Sequence, residues 1–312
     1  MKIISTILAL FLSTVVSAST PLSKLVVFGD SLSDNGNLYE FMKRQLPVSP
    51  PYYEGRFTNG PAWVEILMES YYHNDSKDHL FDYAYGGAGI MEDDPDDSFF
   101  TLSSEINTYL LANNDKADPN AMFIVWIGSN NYLAIPEPSE MDQVVQDVNH
   151  GILKDLNRLV AKGAKHILVV NIPDLGNIPI AREFDAVEEL SYLSKQHNLV
   201  LEQNVFDLKT KYPEVQWLYY DINIIFDDMR LFPAKYGFNN VTDTCYEQAS
   251  QSLSKRNSVL KMVSTIKANN LLGNNACDGY LFFDPVHPSA PAHVLMAKTT
   301  KELFDRNGVL FE

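Results

Sequence analysis

The sequence predicts an α/β fold with a parallel sheet covered by helices on both faces. Three observations carry this expectation. Short apolar runs of strand length recur at residues 24–28, 81–85, 121–127, 166–172 and 215–220. Long segments with helical periodicity stand between and after them. Each helix returns the chain to the starting end of the sheet, so successive strands run parallel and are buried on both sides.

The first eighteen residues read as a secretory signal. Lys2 supplies the positive start, residues 3–12 are mostly apolar, and Val16-Ser17-Ala18 is a small-residue cleavage site, which predicts a mature chain beginning at Ser19. The apolar stretch is too short to span a bilayer. Residues 19–312 contain no long Gly/Ser or Pro-rich linker, no repeat and no low-complexity tract, so one domain is expected there.

Residues 24–28 (Lys-Leu-Val-Val-Phe) are the first buried strand and stop at Gly29. The runs at 81–85 and 121–127 are the second and third. A long helix follows, because Met141, Val144, Val145, Val148, Ile152, Leu156, Leu159 and Val160 recur at three- and four-residue spacing with charges between them. Lys162-Gly163 ends it. After the strands at 166–172 and 215–220 come two further readings. A second long helix is expected within 181–211, stopped before Pro213, and the last helix is expected at 290–304.

Composition sets limits on function. With 46% hydrophobic residues the chain can build a large core and is not a disordered segment. Without Lys2, 23 basic residues face 40 acidic ones, a net charge of −17. Such a surface repels nucleic acid, and no nucleic-acid partner is expected. Cys245 and Cys277 are the only cysteines, and in an oxidising compartment an even pair favours one disulfide. Neither has a second cysteine or a paired histidine nearby, so no metal site is expected.

Four islands bear the chemistry. They are Gly29-Asp30-Ser31-Leu32-Ser33, Ala84-Tyr85-Gly86-Gly87-Ala88, Gly128-Ser129-Asn130-Asn131 and Asp284-Pro285-Val286-His287. Each follows an apolar run, and ligands of parallel sheets collect beyond the carboxyl ends of the strands. A serine hydroxyl needs a base within reach, and the base needs an acid to fix its tautomer. Of the seven histidines, His287 alone has an acid three residues earlier and prolines on both sides, Pro285 and Pro288. Ser31 is therefore the expected nucleophile, His287 the base and Asp284 the orienting acid.

A tetrahedral intermediate needs preorganised donors for its oxygen. The Ser31 N–H, an N–H of Gly86 or Gly87, and the Asn130 side-chain amide are candidates. Plainer roles compete with these. Gly86-Gly87 can be a simple bend, Asn130 a helix cap, and Asp284-x-x-His287 a surface turn. Asp30 reads as a cap of the following helix, outside the triad, and Asp34 with Asn35-Gly36-Asn37 as turn chemistry that orders the nucleophile loop. His293 is expected to pack or face solvent.

With these residues in place, the chain resembles the GDSL family of the SGNH hydrolase superfamily. The resemblance runs from Phe28 to about Ala297. It includes Gly55-Arg56-Phe57-Thr58-Asn59-Gly60 before Trp63, and Asn171-Ile172-Pro173-Asp174-Leu175-Gly176, which are similar to the lipolytic branch. It implies a three-layer α/β/α flavodoxin-like fold and ester hydrolysis without metal or organic cofactor. By spacing it favours Gly87 over Gly86 as the second oxyanion donor. One departure is Asn131, where the family commonly has Asp. The absence of a Gly-x-Ser-x-Gly elbow argues against the α/β-hydrolase fold.

Within the family, the secreted form and tyrosine-rich text are similar to bacterial phospholipases A, lysophospholipases and glycerophospholipid:cholesterol acyltransferases. That implies a lysophospholipid or phospholipid substrate at a membrane surface or micelle. Phe41, Met42, Tyr52, Tyr53, Phe57 and Phe282 are candidates to line an acyl groove, although for most of them taken singly core packing is the better explanation. A carbohydrate acetyl esterase and a non-catalytic binding module are the competing readings. The Cys245–Cys277 loop, with an amphipathic part at 259–266 and an asparagine-rich part at 269–275, is expected to be a lid, a target for an activating protease, or a plain staple.

Overall fold

Five strands form the central sheet: β1 (Lys24–Gly29), β2 (Leu80–Asp82), β3 (Ala121–Trp126), β4 (His166–Val170) and β5 (Gln216–Tyr220). In this computed structural model, which describes residues 21–90, 100–246 and 277–312, all neighbours pair in parallel in the order β2-β1-β3-β4-β5. That is the flavodoxin-like order, and the expected three-layer α/β/α architecture is observed. The signal at 1–18, its cleavage point, and the stretches at 259–266 and 269–275 lie outside the described residues.

The strand sequences explain the layering. Residues 25–28 of β1 and all of β3 are buried, which is why both read as continuous apolar runs without alternation. One face of the sheet carries the helices Trp63–Tyr72 and Ala290–Arg306, which pack on each other. The helix Met141–Ala161 packs against both Leu102–Ala112 and Val187–Lys211 in the other helical layer. No helix among the described residues is long and apolar enough to cross a membrane.

Several boundaries differ from expectation. Only residues 80–82 of the second strand make ladder pairs, but the chain stays beside β1, with the Tyr83 N–H donating to Val27 O at 2.8 Å and the Tyr85 N–H to Gly29 O at 3.1 Å. β4 stops at Val170 and β5 starts at Gln216. The helix expected within 181–211 is two helices, Pro179–Glu183 and Val187–Lys211. Asp185 breaks it in the left-handed region, at φ 51°. A small second sheet was not expected: β6 (Asn240–Thr244) pairs in parallel with β7 (Tyr280–Phe282). Cys245, just after β6, is disulfide-bonded to Cys277, just before β7.

From β1 the chain crosses to β2 on one side and then to β3 on the other. The order therefore reverses between β1 and β3, and a crevice opens at their carboxyl ends.

Candidate functional site

Ser31 sits in that crevice, two residues beyond β1. Gly29 permits the approach, since a Cβ there would lie 2.5 Å from Trp126 O on β3. The turn after it is held by Asp30. Its main-chain carbonyl accepts the Ser33 and Asp34 N–H groups at 3.0 Å, and its Oδ1 accepts the Leu32 N–H at 3.0 Å. Asp30 thus closes a turn rather than capping a helix, since the next helix starts only at Asn37. Burial pushes its carboxyl up to about 6, against the lowering effect of the Leu32 N–H and of nearby His287.

Asp34 does more than order a turn. Oδ1 accepts the N–H groups of Gly36 (2.8 Å) and Asn37 (2.6 Å), and Oδ2 those of Leu38 (3.2 Å) and Gly86 (2.7 Å). One carboxylate therefore ties the Ser31 loop, the short helix Asn37–Phe41 and the glycine island together. Burial raises it to about 6 as well, partly offset by those four donors.

His287 bridges the serine and the acid. Its Nε2 lies 2.8 Å from Ser31 Oγ, and its Nδ1 lies 2.7 Å from Asp284 Oδ2. Asp284 Oδ1 accepts the Val286 N–H at 2.8 Å and the His287 N–H at 2.7 Å, so the intervening turn is closed on the acid itself. All three side chains are buried. Burial works against the Asp284 carboxylate. The adjoining imidazole, Tyr52 and the Val286 N–H outweigh it and hold the carboxyl below its ordinary value.

The candidate oxyanion donors separate in the same way. Gly86 spends its N–H on Asp34. Gly87 adopts φ 81°, and among the described residues its N–H has no acceptor, nor has that of Ser31. The Asn130 amide gives one hydrogen to Ala88 O at 2.7 Å, which leaves the second unspent. Asn130 is not a helix cap, because Gly128 occupies the cap of Ser129–Leu133. Asn131, where the family commonly has Asp, accepts the Ile90 N–H at 3.0 Å through Oδ1. That role needs no charge.

A narrow cleft runs from Ser31, Asn130 and His287 between Leu133, Leu175, Ile178, Phe226, Phe282 and Val286. Of the aromatics expected to line a groove, only Phe282 does so. Tyr52 instead donates its hydroxyl to Asp284 Oδ2 at 2.6 Å, and Phe57 packs on the His287 ring at 5.2 Å between centroids. Phe41, Met42 and Tyr53 lie outside the cleft, and Phe41 and Tyr53 are exposed. His293 is buried and accepts the Trp63 N–H through Nδ1 at 3.1 Å, a packing role as expected. Sequence reasoning missed the Tyr52 contact. The sequence places Tyr52 among the groove candidates, and the one nearby signal is the Gly55-to-Gly60 stretch, similar to the lipolytic branch. No three His, Cys, Asp or Glu side chains among the described residues are grouped to hold a metal ion.

Comparison with known proteins agrees with this geometry. The chain is 31% identical over 304 residues to the phosphatidylcholine-sterol acyltransferase of Aeromonas hydrophila, with 88% of each chain covered. It is 27% identical to the secreted effector protein SseJ of Salmonella typhimurium, over 87% of this chain and 61% of that one. An acetylxylan esterase from Geobacillus stearothermophilus shares the fold, with a TM-score of 0.50 at 12% identity, covering 95% of this chain and 97% of that one. The pattern of the GDSL-like lipase/acylhydrolase family matches residues 25–300, and this chain belongs to that family of carboxylic ester hydrolases.

Proposed function

We propose that the protein is an exported serine lipid-ester hydrolase that releases fatty acid from lysophospholipids and phospholipids through an acyl-enzyme on Ser31. The observation that carries the reading is His287, within hydrogen-bond distance of Ser31 Oγ on one side and Asp284 Oδ2 on the other.

In this reading Ser31 Oγ attacks the ester carbonyl while His287 Nε2 takes its proton. Asp284 holds the Nδ1–H tautomer and balances the imidazolium that forms. The Ser31 N–H, the Gly87 N–H and the free Asn130 amide hydrogen receive the developing oxyanion. His287 then returns the proton to the leaving alcohol, and the ester bond to it breaks. Water, activated by the same imidazole, attacks the acyl-enzyme and releases the fatty acid. A second alcohol in place of water gives acyl transfer by the same steps.

Two observations support a lipid substrate. The cleft beside Ser31 is walled by Leu133, Leu175, Ile178, Phe226, Phe282 and Val286, and a relative at 31% identity is named for a phospholipid-to-sterol transfer. Export is supported by the signal pattern of residues 1–18. The test incubates purified protein with lysophosphatidylcholine, diacyl phosphatidylcholine, triacylglycerol and acetylated xylan, and quantifies the acid released. Lysophosphatidylcholine is expected to react fastest. Faster release of acetate from xylan would replace the lipid reading with a carbohydrate esterase.

A further inference from the structure

The segment from Tyr52 to Asn59 grips the turn that carries Asp284 and His287. Tyr52 Oη donates to Asp284 Oδ2 at 2.6 Å, and the Phe57 ring lies 5.2 Å from the imidazole. Thr58 Oγ1 donates to Pro288 O at 2.9 Å, and Asn59 Oδ1 accepts the Ala290 N–H at 2.8 Å. These four contacts fall on the acid, the histidine, and the residues just beyond them.

Tyr52 is the member of the strap that reaches the acid. It is 1% exposed, and its ring stands edge-on to Phe283 at 5.0 Å and to Phe57 at 6.2 Å. Its hydroxyl shares Asp284 Oδ2 with His287 Nδ1. Oδ1 is already filled by two main-chain donors. Asp284 therefore receives four donors, in a site where its carboxylate is 1% exposed. An anion so far from water depends on each of them.

We propose that Tyr52 is a positioning residue for Asp284: its hydroxyl fixes the carboxylate plane and sets how strongly Oδ2 holds the His287 Nδ1 proton. The inference rests on the hydrolase reading above. Without the hydroxyl, Oδ2 keeps the imidazole as its one partner among the described residues, the carboxylate can turn about its Cβ–Cγ bond, and the Nε2 lone pair loses its aim at Ser31 Oγ. Burial keeps the phenol protonated by raising it well above its ordinary value, so it donates throughout the working pH range.

Tyr52→Phe separates this from simple packing, since it keeps the ring against Phe57 and Phe283. The assay follows kcat and KM on a soluble nitrophenyl ester, together with the downfield proton NMR resonance of His287 Nδ1–H. The expected result is a kcat roughly tenfold lower, a KM within about twofold, and a displaced resonance. Thr58→Val, on the same strap but away from Asp284, should leave the resonance in place. An unchanged kcat, an unmoved resonance, or equal displacement in both variants overturns the proposal. Wild-type protein carries a second measurement should Tyr52→Phe not fold. A slowly exchanging phenolic proton should show a cross-peak to the His287 Nδ1 proton, and its absence counts equally against the idea. Ser31→Ala runs alongside. If wild-type hydrolysis does not depend on Ser31, the hydrolase reading falls, while the NMR arm still decides the Tyr52 contact.

Discussion

The Asp284 side chain holds His287 twice: Oδ1 accepts the His287 main-chain N–H at 2.7 Å, and Oδ2 meets His287 Nδ1 at 2.7 Å. One carboxylate thus closes the turn and orients the ring, so the proposed acid–base pair is a single local unit. What the fold must add is Ser31, 256 positions away in sequence, at 2.8 Å from Nε2.

Ser31→Ala should therefore abolish hydrolysis and leave the fold intact, because among the described residues the hydroxyl has His287 as its one partner. Loss of a triad member typically costs several orders of magnitude in rate. Turnover of a nitrophenyl ester above about a hundredth of wild type would remove Ser31 from its assigned role.

Asn130→Ala tests the proposed third oxyanion donor. It removes the free amide hydrogen together with the bond to Ala88 O. Turnover should drop roughly a hundred- to a thousandfold, with little change in KM. A variant that only melts at lower temperature, with normal turnover while folded, would reduce Asn130 to a tether for Ala88.

The contrast between these residues and Tyr52 marks what the sequence carries. Ser31, Asp284 and His287 were legible because each chemical unit is short: a serine just past an apolar run, and an Asp-x-x-His turn stiffened by prolines. The parallel sheet was legible because β1 and β3 are buried on both faces and so read as unbroken apolar runs. Tyr52 meets Asp284 across 232 positions, and no local pattern predicts such a pairing. β6 was missed for a different reason. Asn-Val-Thr-Asp-Thr is polar and, among the described residues, pairs with the three-residue β7 alone, so it lacks the hydrophobic signal of a core strand. The link from Asp34 to Gly86 was equally hidden, since each island read alone as an ordinary turn.

Asp34→Asn should test that link. The substitution replaces an acceptor oxygen by an amide group that faces main-chain N–H donors. Four N–H groups depend on this side chain. The expected loss is roughly 2–4 kcal/mol of folding stability, with hydrolysis reduced alongside because the Ser31 loop and the glycine island lose their common anchor. Urea unfolding measures the first and ester turnover the second. A variant as stable as wild type would show that the loop is held elsewhere.

Asp30 gives a pH dependence of known sign. Its folded carboxyl sits near 6 against an ordinary 3.8, chiefly through burial. The folded state therefore binds the proton more tightly than the unfolded chain does. Its contribution to stability is fullest below about pH 4 and is lost as pH rises through about 6. Asp30→Asn keeps an oxygen for the Leu32 N–H but cannot titrate. The stability of wild type relative to this variant should fall by up to about 3 kcal/mol between about pH 4 and pH 7. Urea titrations across that range read it directly, and a constant difference would contradict the assignment.

The disulfide supplies the last prediction. Cys245 and Tyr246 donate their N–H groups to Phe282 O (3.1 Å) and Phe283 O (3.0 Å), the two residues before Asp284. The Cys245–Cys277 bond holds that segment from the far side, closing a loop of sequence separation 32. Loop-closure entropy alone assigns it roughly 3–4 kcal/mol. Replacing both cysteines by serine should cost stability of that order. It should also lower turnover, since the ladder it supports ends at the proposed acid. Two free thiols in the native protein by mass spectrometry would remove the bond itself.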